Sequence, residues 1–173
     1  NNQVKLAGGA DATGDSLSEQ IQSAGKVAVE RLYKDFAIAD DANWAKVYTK
    51  AKSEGGENAL EALDHKDETA KHPVCQALNR YIGASKTGSE LRKHFSDAPY
   101  GWPQDTIDGA LYAMLAAGAL TGTDATGQAV AAKSLERSAL SQVNFRPEKV
   151  QLSKIELIKV RGLITAMGVH CNT

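Results

Sequence analysis

The sequence predicts a mainly α-helical chain: a helical N-terminal part, a winged-helix-like unit of three helices plus a short β-hairpin, and a C-terminal helix. Three observations carry this expectation. Apolar residues recur at helical spacing through most of the chain. Two capping boxes, Ser16 with Glu19 and Thr87 with Glu90, mark helix starts. After Gly118 the pattern becomes extended, around a turn-rich loop from Gly122 to Gly127.

Taken in order, residues 1–15 are rich in Gly, Ala, Asp and Asn without periodicity and read as a loose leader. Ser16 opens a helix whose stripe is Leu17, Ile21, Ala24, Ala28 and Leu32, ending near Phe36. A second helix follows Asp41, with Trp44, Val47, Tyr48 and Ala51 turned inward, and Gly55-Gly56 breaks it. An apolar turn around Leu60 and Leu63 leads into a polar stretch, Asp64 to Lys71. Pro73 suits the first turn of the next helix, where its missing N–H costs nothing; Val74, Leu78, Tyr81 and Ile82 line one face. Thr87 opens a short helix carrying Leu91 and Phe95. Beyond the break Ala98-Pro99-Tyr100-Gly101-Trp102-Pro103, a third helix places Ile107, Ala110, Leu111, Met114 and Leu115 on one face.

Leu120-Thr121 and Gln128 to Ala132 then form the hairpin, completing the helix–helix–helix–hairpin order of a winged helix. An extended piece, Gln142 to Val150, precedes a last helix with Ser153 as N-cap and Ile155, Ile158, Leu163, Ile164 and Met167 as apolar residues. The expected division is a leader at 1–15, a helical subdomain at 16–68 and a winged-helix-like domain at 69–135. Residues 136–173 supply the extended piece and a C-terminal helix packed on it.

Composition narrows the function. Apolar residues make up 42% of 173, enough for a core and too many for global disorder. A net charge of -1 and a pI near 6.5 give no general attraction to phosphate backbones or anionic membranes. The charge is uneven. Residues 133–173 hold seven Lys/Arg against three Glu, a net +4, which leaves -5 for the first 132. Two cysteines, Cys75 and Cys171, make no disulfide framework and read as reduced thiols of a cytoplasmic protein. No apolar run approaches the ~20 residues of a membrane span, so no membrane partner is expected. The Asn-Asn-Gln start, with neither initiator Met nor signal pattern, reads as a processed or excised one.

The motifs of common chemistries are missing. A phosphate loop needs Gly, four residues, then Gly-Lys-Ser/Thr, and Gly83-Ala84-Ser85-Lys86-Thr87-Gly88 lacks that order. His72 with Cys75, and His170 with Cys171, are two pairs without the four-ligand spacing of a closed zinc site. Cys75 lies beside an apolar helix face, where a free Cys packs as a small hydrophobe. His94 has no nucleophile partner at recognisable spacing. No catalytic, cofactor or metal residue is expected, and the chain reads as non-enzymatic.

Two sets of residues do stand out. The turn Tyr100-Gly101-Trp102-Pro103 is either a platform for a peptide or base, or an aromatic seal on a helix–helix corner. The seal is the favoured reading. Arg146, Lys149, Lys154, Lys159 and Arg161, with Arg137, form a basic C-terminal set able to make weak nucleic-acid contact. By contrast the helix from Gln104 to Ala117, which would read a groove in a winged helix, carries Asp105 and Asp108 and no Lys or Arg. That is the wrong sign for phosphates.

These residues also carry a resemblance. Thr87-Gly88-Ser89-Glu90-Leu91-Arg92-Lys93-His94-Phe95, Pro99-Tyr100-Gly101-Trp102-Pro103-Gln104-Asp105, Ile107-Asp108-Gly109-Ala110-Leu111 and Leu115-Ala116-Ala117-Gly118 resemble a segment of the large P-loop protein of bacterial BREX phage-defence systems (the BrxC/PglY family). Asn144-Phe145-Arg146-Pro147-Glu148 and the expected helix after it are similar to that family's continuation. The likeness spans about residues 70–168, and Tyr-Gly-Trp-Pro is its most specific block. It implies a cytoplasmic anti-phage ATPase as parent, of which this chain is a non-ATPase segment. The implied partners are other domains of that parent or other BREX components. A DNA-binding winged helix acting through the basic C-terminal segment is the alternative.

Overall fold

The computed structural model describes residues 3–148 together with Lys159, Gly162 and Leu163. Five α-helices lie within the described residues: α1 (Leu17–Leu32), α2 (Trp44–Ala51), α3 (Pro73–Ile82), α4 (Gly88–Ser96) and α5 (Gln104–Ala116). Short 3-10 segments at Ala37–Ala39, Gly56–Leu63, Thr69–Lys71 and Leu140–Gln142 link them. Strands β1 (Lys86–Thr87), β2 (Leu120–Thr123), β3 (Ala129–Val130) and β4 (Asn144–Pro147) make a small antiparallel sheet in the order β1-β4-β2-β3. The chain is therefore mainly helical with one small sheet.

Local chemistry explains most boundaries. In α1 the Glu19 N–H donates to Ser16 Oγ at 3.3 Å while Glu19 Oε2 accepts from the Ser16 N–H at 3.2 Å. Thr87 and Glu90 repeat the arrangement at α4. Each box satisfies N–H groups that the first helical turn leaves unpaired. Pro73 occupies the first turn of α3, and Gly83 at φ 56° stops it.

α5 is the hub of the core. Every residue from Thr106 to Met114 is buried, on all sides of the helix. α2 covers one side with Trp44, Val47 and Ala51. The two helices approach so closely that a Cβ on Gly109 would sit 2.9 Å from the Trp44 carbonyl oxygen. Trp44 Nε1 donates to the Ala39 carbonyl at 3.0 Å, and the Tyr48 and Tyr112 rings meet edge-on at 4.8 Å. Tyr112 Oη donates to the Leu135 carbonyl at 2.8 Å, tying the loop after the hairpin to the same helix. A helix buried all round needs apolar or satisfied polar groups on every face.

The sheet closes the other end of the core. β2 and β3 form the hairpin, with Gly122 opposite Val130 and Thr123 opposite Ala129. The extended piece expected after position 142 forms β4, which lies between β1 and β2. Phe145 stands opposite Gly122 on one side and Lys86 on the other. Phe145 is fully buried, and Leu120 and Val143 pack beside it.

α1 departs from its expected role. It is the longest helix described, yet it buries no residue: Leu17, Ile21, Val29 and Leu32 are each more than half exposed. Its Gln20 and Ser23 side lies along the leader instead. The Val4 N–H donates to Gln20 Oε1 at 3.2 Å, Thr13 and Ser23 hydroxyls meet at 2.9 Å, and Lys5 bridges Asp11. Periodicity locates an apolar face, and it does not say what covers that face. Of the expected C-terminal helix only Lys159, Gly162 and Leu163 are described; these are helical and exposed. The rest of that expectation lies outside the described residues.

Candidate functional site

The Tyr100–Pro103 turn sits where α4 gives way to α5, against the corner that follows α1. Trp102 is 2% exposed. Its ring stacks on Phe95 with centroids 4.6 Å apart and planes 13° from parallel, and Nε1 donates to the Asp35 carbonyl at 2.9 Å. The Trp102 N–H donates to the Phe95 carbonyl at 2.8 Å, and the Asp35 N–H donates to the Pro99 carbonyl at 3.1 Å. Tyr100, half-buried, packs on Phe95 at 4.6 Å and edge-on to Trp102 at 5.1 Å. Gly101 adopts φ 62°, and a Cβ there would lie 2.6 Å from the Tyr33 ring, so both backbone and space call for glycine. Pro103 is exposed and precedes α5 as its N-cap. These contacts are internal: the buried indole is spent on the corner, and of the aromatic pair Tyr100 alone keeps a partly open surface.

The cluster extends outward through His94, whose ring stacks on Tyr81 at 3.6 Å and 2°. Burial holds the His94 pKa below its ordinary value. Beside the turn, Val29, Tyr33, Phe36, Ala37 and Gly101, with the charged Glu30 and Lys34, line a groove of about 510 Å³ at the C-terminal end of α1.

The basic set is dispersed. Arg146 is exposed on β4 and Lys159 is exposed, whereas Lys149, Lys154 and Arg161 lie outside the described residues. Arg137 is not a free surface cation. It and Arg92 converge on Asp108, which is completely buried: Arg92 Nε and Nη2 donate to Asp108 at 2.8 and 3.0 Å, and Arg137 Nε donates at 2.6 Å. Arg137 also pairs with Asp105, and Arg92 Nη2 donates to the Arg137 carbonyl at 3.3 Å. Four charges thus close on one another between α4, α5 and the segment after the hairpin. From the sequence, Asp105 and Asp108 count only as charges of the wrong sign for phosphate on the helix that would read a groove. No local signal marks the pairing, since Arg92 lies 16 residues before Asp108 and Arg137 29 after it.

The remaining candidates are structural in geometry. Cys75 is buried and its thiol is pushed up to about 12 by burial, far from a reactive thiolate. His72 caps α3 by accepting the Val74 N–H at Nδ1; burial first, then the nearby His65, bring its pKa down to about 4. Among the described residues no three His, Cys, Asp or Glu side chains gather as a metal-ligand set. No described helix is long and apolar enough to cross a membrane.

Comparison with protein-family models, curated proteins and solved structures gives no match.

Proposed function

We propose that this chain is a non-catalytic, winged-helix-like interaction module of a large bacterial anti-phage P-loop ATPase of the BREX type, acting in the cytoplasm. The burial of α5 carries the interaction reading. The helix that would enter a DNA groove has no open face from Thr106 to Met114, and its Asp108 is consumed by two arginines. A winged-helix arrangement is supported by the order α3-β1-α4-α5-β2-β4 and the sheet order β1-β4-β2. In such an arrangement the segment between β2 and β4 is the wing. Among the described residues, the face of α1 and the rim around Tyr100 offer apolar surface for contact. The family rests on the Tyr-Gly-Trp-Pro block and its flanking motifs.

Two measurements test this. Duplex DNA at physiological salt is expected to bind weakly, and that binding to fall steeply as salt rises, because it comes from counterion release. Lys154→Ala/Lys159→Ala should remove most of it. Tight, sequence-selective binding lost on Gln104→Ala would overturn the module reading in favour of a DNA reader. The family is tested by the full reading frame that encodes this chain, which should carry a Walker motif elsewhere. A frame without one overturns the BREX assignment.

A further inference from the structure

We propose that His72 is an acid-sensitive latch on the start of α3: as a neutral ring it caps the helix, and as a cation it releases the first turn. The inference goes beyond the interaction-module reading and does not depend on it. α3 begins with Pro73, which has no N–H, so the Val74 N–H is the first donor that the helix leaves open. Val74 is completely buried, out of reach of solvent. Its N–H donates to Nδ1 of the His72 ring at 3.3 Å. A buried N–H without an acceptor costs free energy comparable to a lost hydrogen bond. The cap therefore matters more here than at an exposed helix start.

An imidazole nitrogen accepts only through its lone pair, so Nδ1 cannot hold the cap and a proton together. In the capping state the ring proton sits on Nε2. A second proton, at Nδ1, sets N–H against N–H. It also places a positive charge at the helix end where the dipole is already positive. The surroundings work the same way. Trp44 of α2 stands at right angles to the His72 ring with centroids 5.5 Å apart, and His65 does so at 5.1 Å. Two titratable groups act on His72 from neighbouring segments. His65, just past the Gly56–Leu63 segment, opposes a cation, and Asp41, before α2, favours one. On the segment leading into α3, Lys71 pairs with Asp67 at 3.1 Å and with Glu68 at 3.7 Å. Burial outweighs Asp41, and the His72 pKa lies at about 4.

A free imidazole titrates near about 6.5. Between about pH 6.5 and pH 4 the folded chain thus holds fewer protons at this ring than the unfolded chain, and stability falls as pH falls through that window. Val74 and Cys75 lie nearest the cap and, with Leu78 and Ile82, anchor α3 in the core. The latch therefore acts on a core helix.

The test follows the full chain by NMR of the histidine rings and by urea unfolding at pH 7 and pH 5. In the wild type the His72 ring should titrate well below 6.5 and carry its neutral proton on Nε2. His65→Gln should raise that midpoint, and Asp41→Asn should lower it further. Between pH 7 and pH 5 the folded-to-unfolded ratio should fall about tenfold. His72→Asn keeps a side-chain acceptor at the cap and has no proton to gain, so most of that fall should vanish. His94→Gln removes the other histidine that burial holds low, and should remove the smaller part. At pH 5 the Val74 and Cys75 amides should exchange faster in the wild type than in His72→Asn. A His72 ring titrating near 6.5, a proton on Nδ1 at neutral pH, or an equal fall in stability in wild type and His72→Asn overturns the proposal. Should His72→Asn fail to fold, the wild-type titration and its shift in His65→Gln decide alone.

Discussion

Trp102→Ala is expected to lower the unfolding free energy by about 3–5 kcal/mol, the range for truncating a large buried aromatic side chain. For a chain of this size that corresponds to a fall in melting temperature of roughly 6–20 °C. Three losses combine. The indole leaves a cavity beside Phe95, its Nε1 no longer satisfies the Asp35 carbonyl, and the stack at 4.6 Å disappears. Trp102→Phe should recover part of the packing and none of the hydrogen bond, so it should fall between wild type and Ala. Urea or thermal unfolding of the three proteins measures this. Unchanged stability with lost partner binding would mean that the indole serves as a recognition platform and not as the seal of the corner.

Asp108→Ala is expected to cost a comparable amount, about 3–5 kcal/mol, for a different reason. Removing one member of a buried ion cluster strands the others. Here the stranded group is chiefly the Arg92 guanidinium, whose side chain is 20% exposed; Arg137, 37% exposed, keeps its contact with Asp105. The net worth of the intact cluster is much smaller, because desolvation offsets the attraction. The triple replacement Asp108→Leu/Arg92→Met/Arg137→Met should therefore be considerably more stable than Asp108→Ala alone. If the single and triple variants unfold at the same denaturant concentration, stranded charge is not the cause, and simple loss of packing around α5 explains the single variant.

Local grammar in this sequence was readable, and its long-range partnerships were not. Ser16 with Glu19, Thr87 with Glu90, and Pro73 write their own hydrogen bonds within a few residues, so helix starts follow from composition alone. The inward residues of α2 and α3 follow from spacing in the same way. α1 has an equally regular stripe and buries none of it, because amphipathicity states a need for a cover without naming the cover. Asp108 shows the converse. A carboxylate at a helical position next to apolar neighbours reads as a surface charge unless the two arginines, 16 residues before and 29 after, are known to converge on it. The aromatic turn was legible as a corner, since prolines on both sides and a glycine between two large rings leave few other geometries. That Tyr33 is what demands the glycine could not be seen from 68 residues away.

The placement of β4 has a bearing on how the chain can be divided. β1 and β2 do not touch each other; each pairs with β4, which arrives 57 residues after β1 and 21 after β2. A chain cut before Asn144 would hold α1 to α5 and the hairpin, yet Lys86 and Thr87 would have no strand beside them. Phe145 would be missing from the core, and β2 would be left with β3 alone. Synthesis from the ribosome meets the same constraint, since β1 and β2 emerge as strangers and become one sheet when the strand that separates them is delivered. For excision, fusion or circular permutation, the smallest unit that keeps its sheet reaches past Pro147, well beyond the hairpin where the winged pattern in the sequence ends.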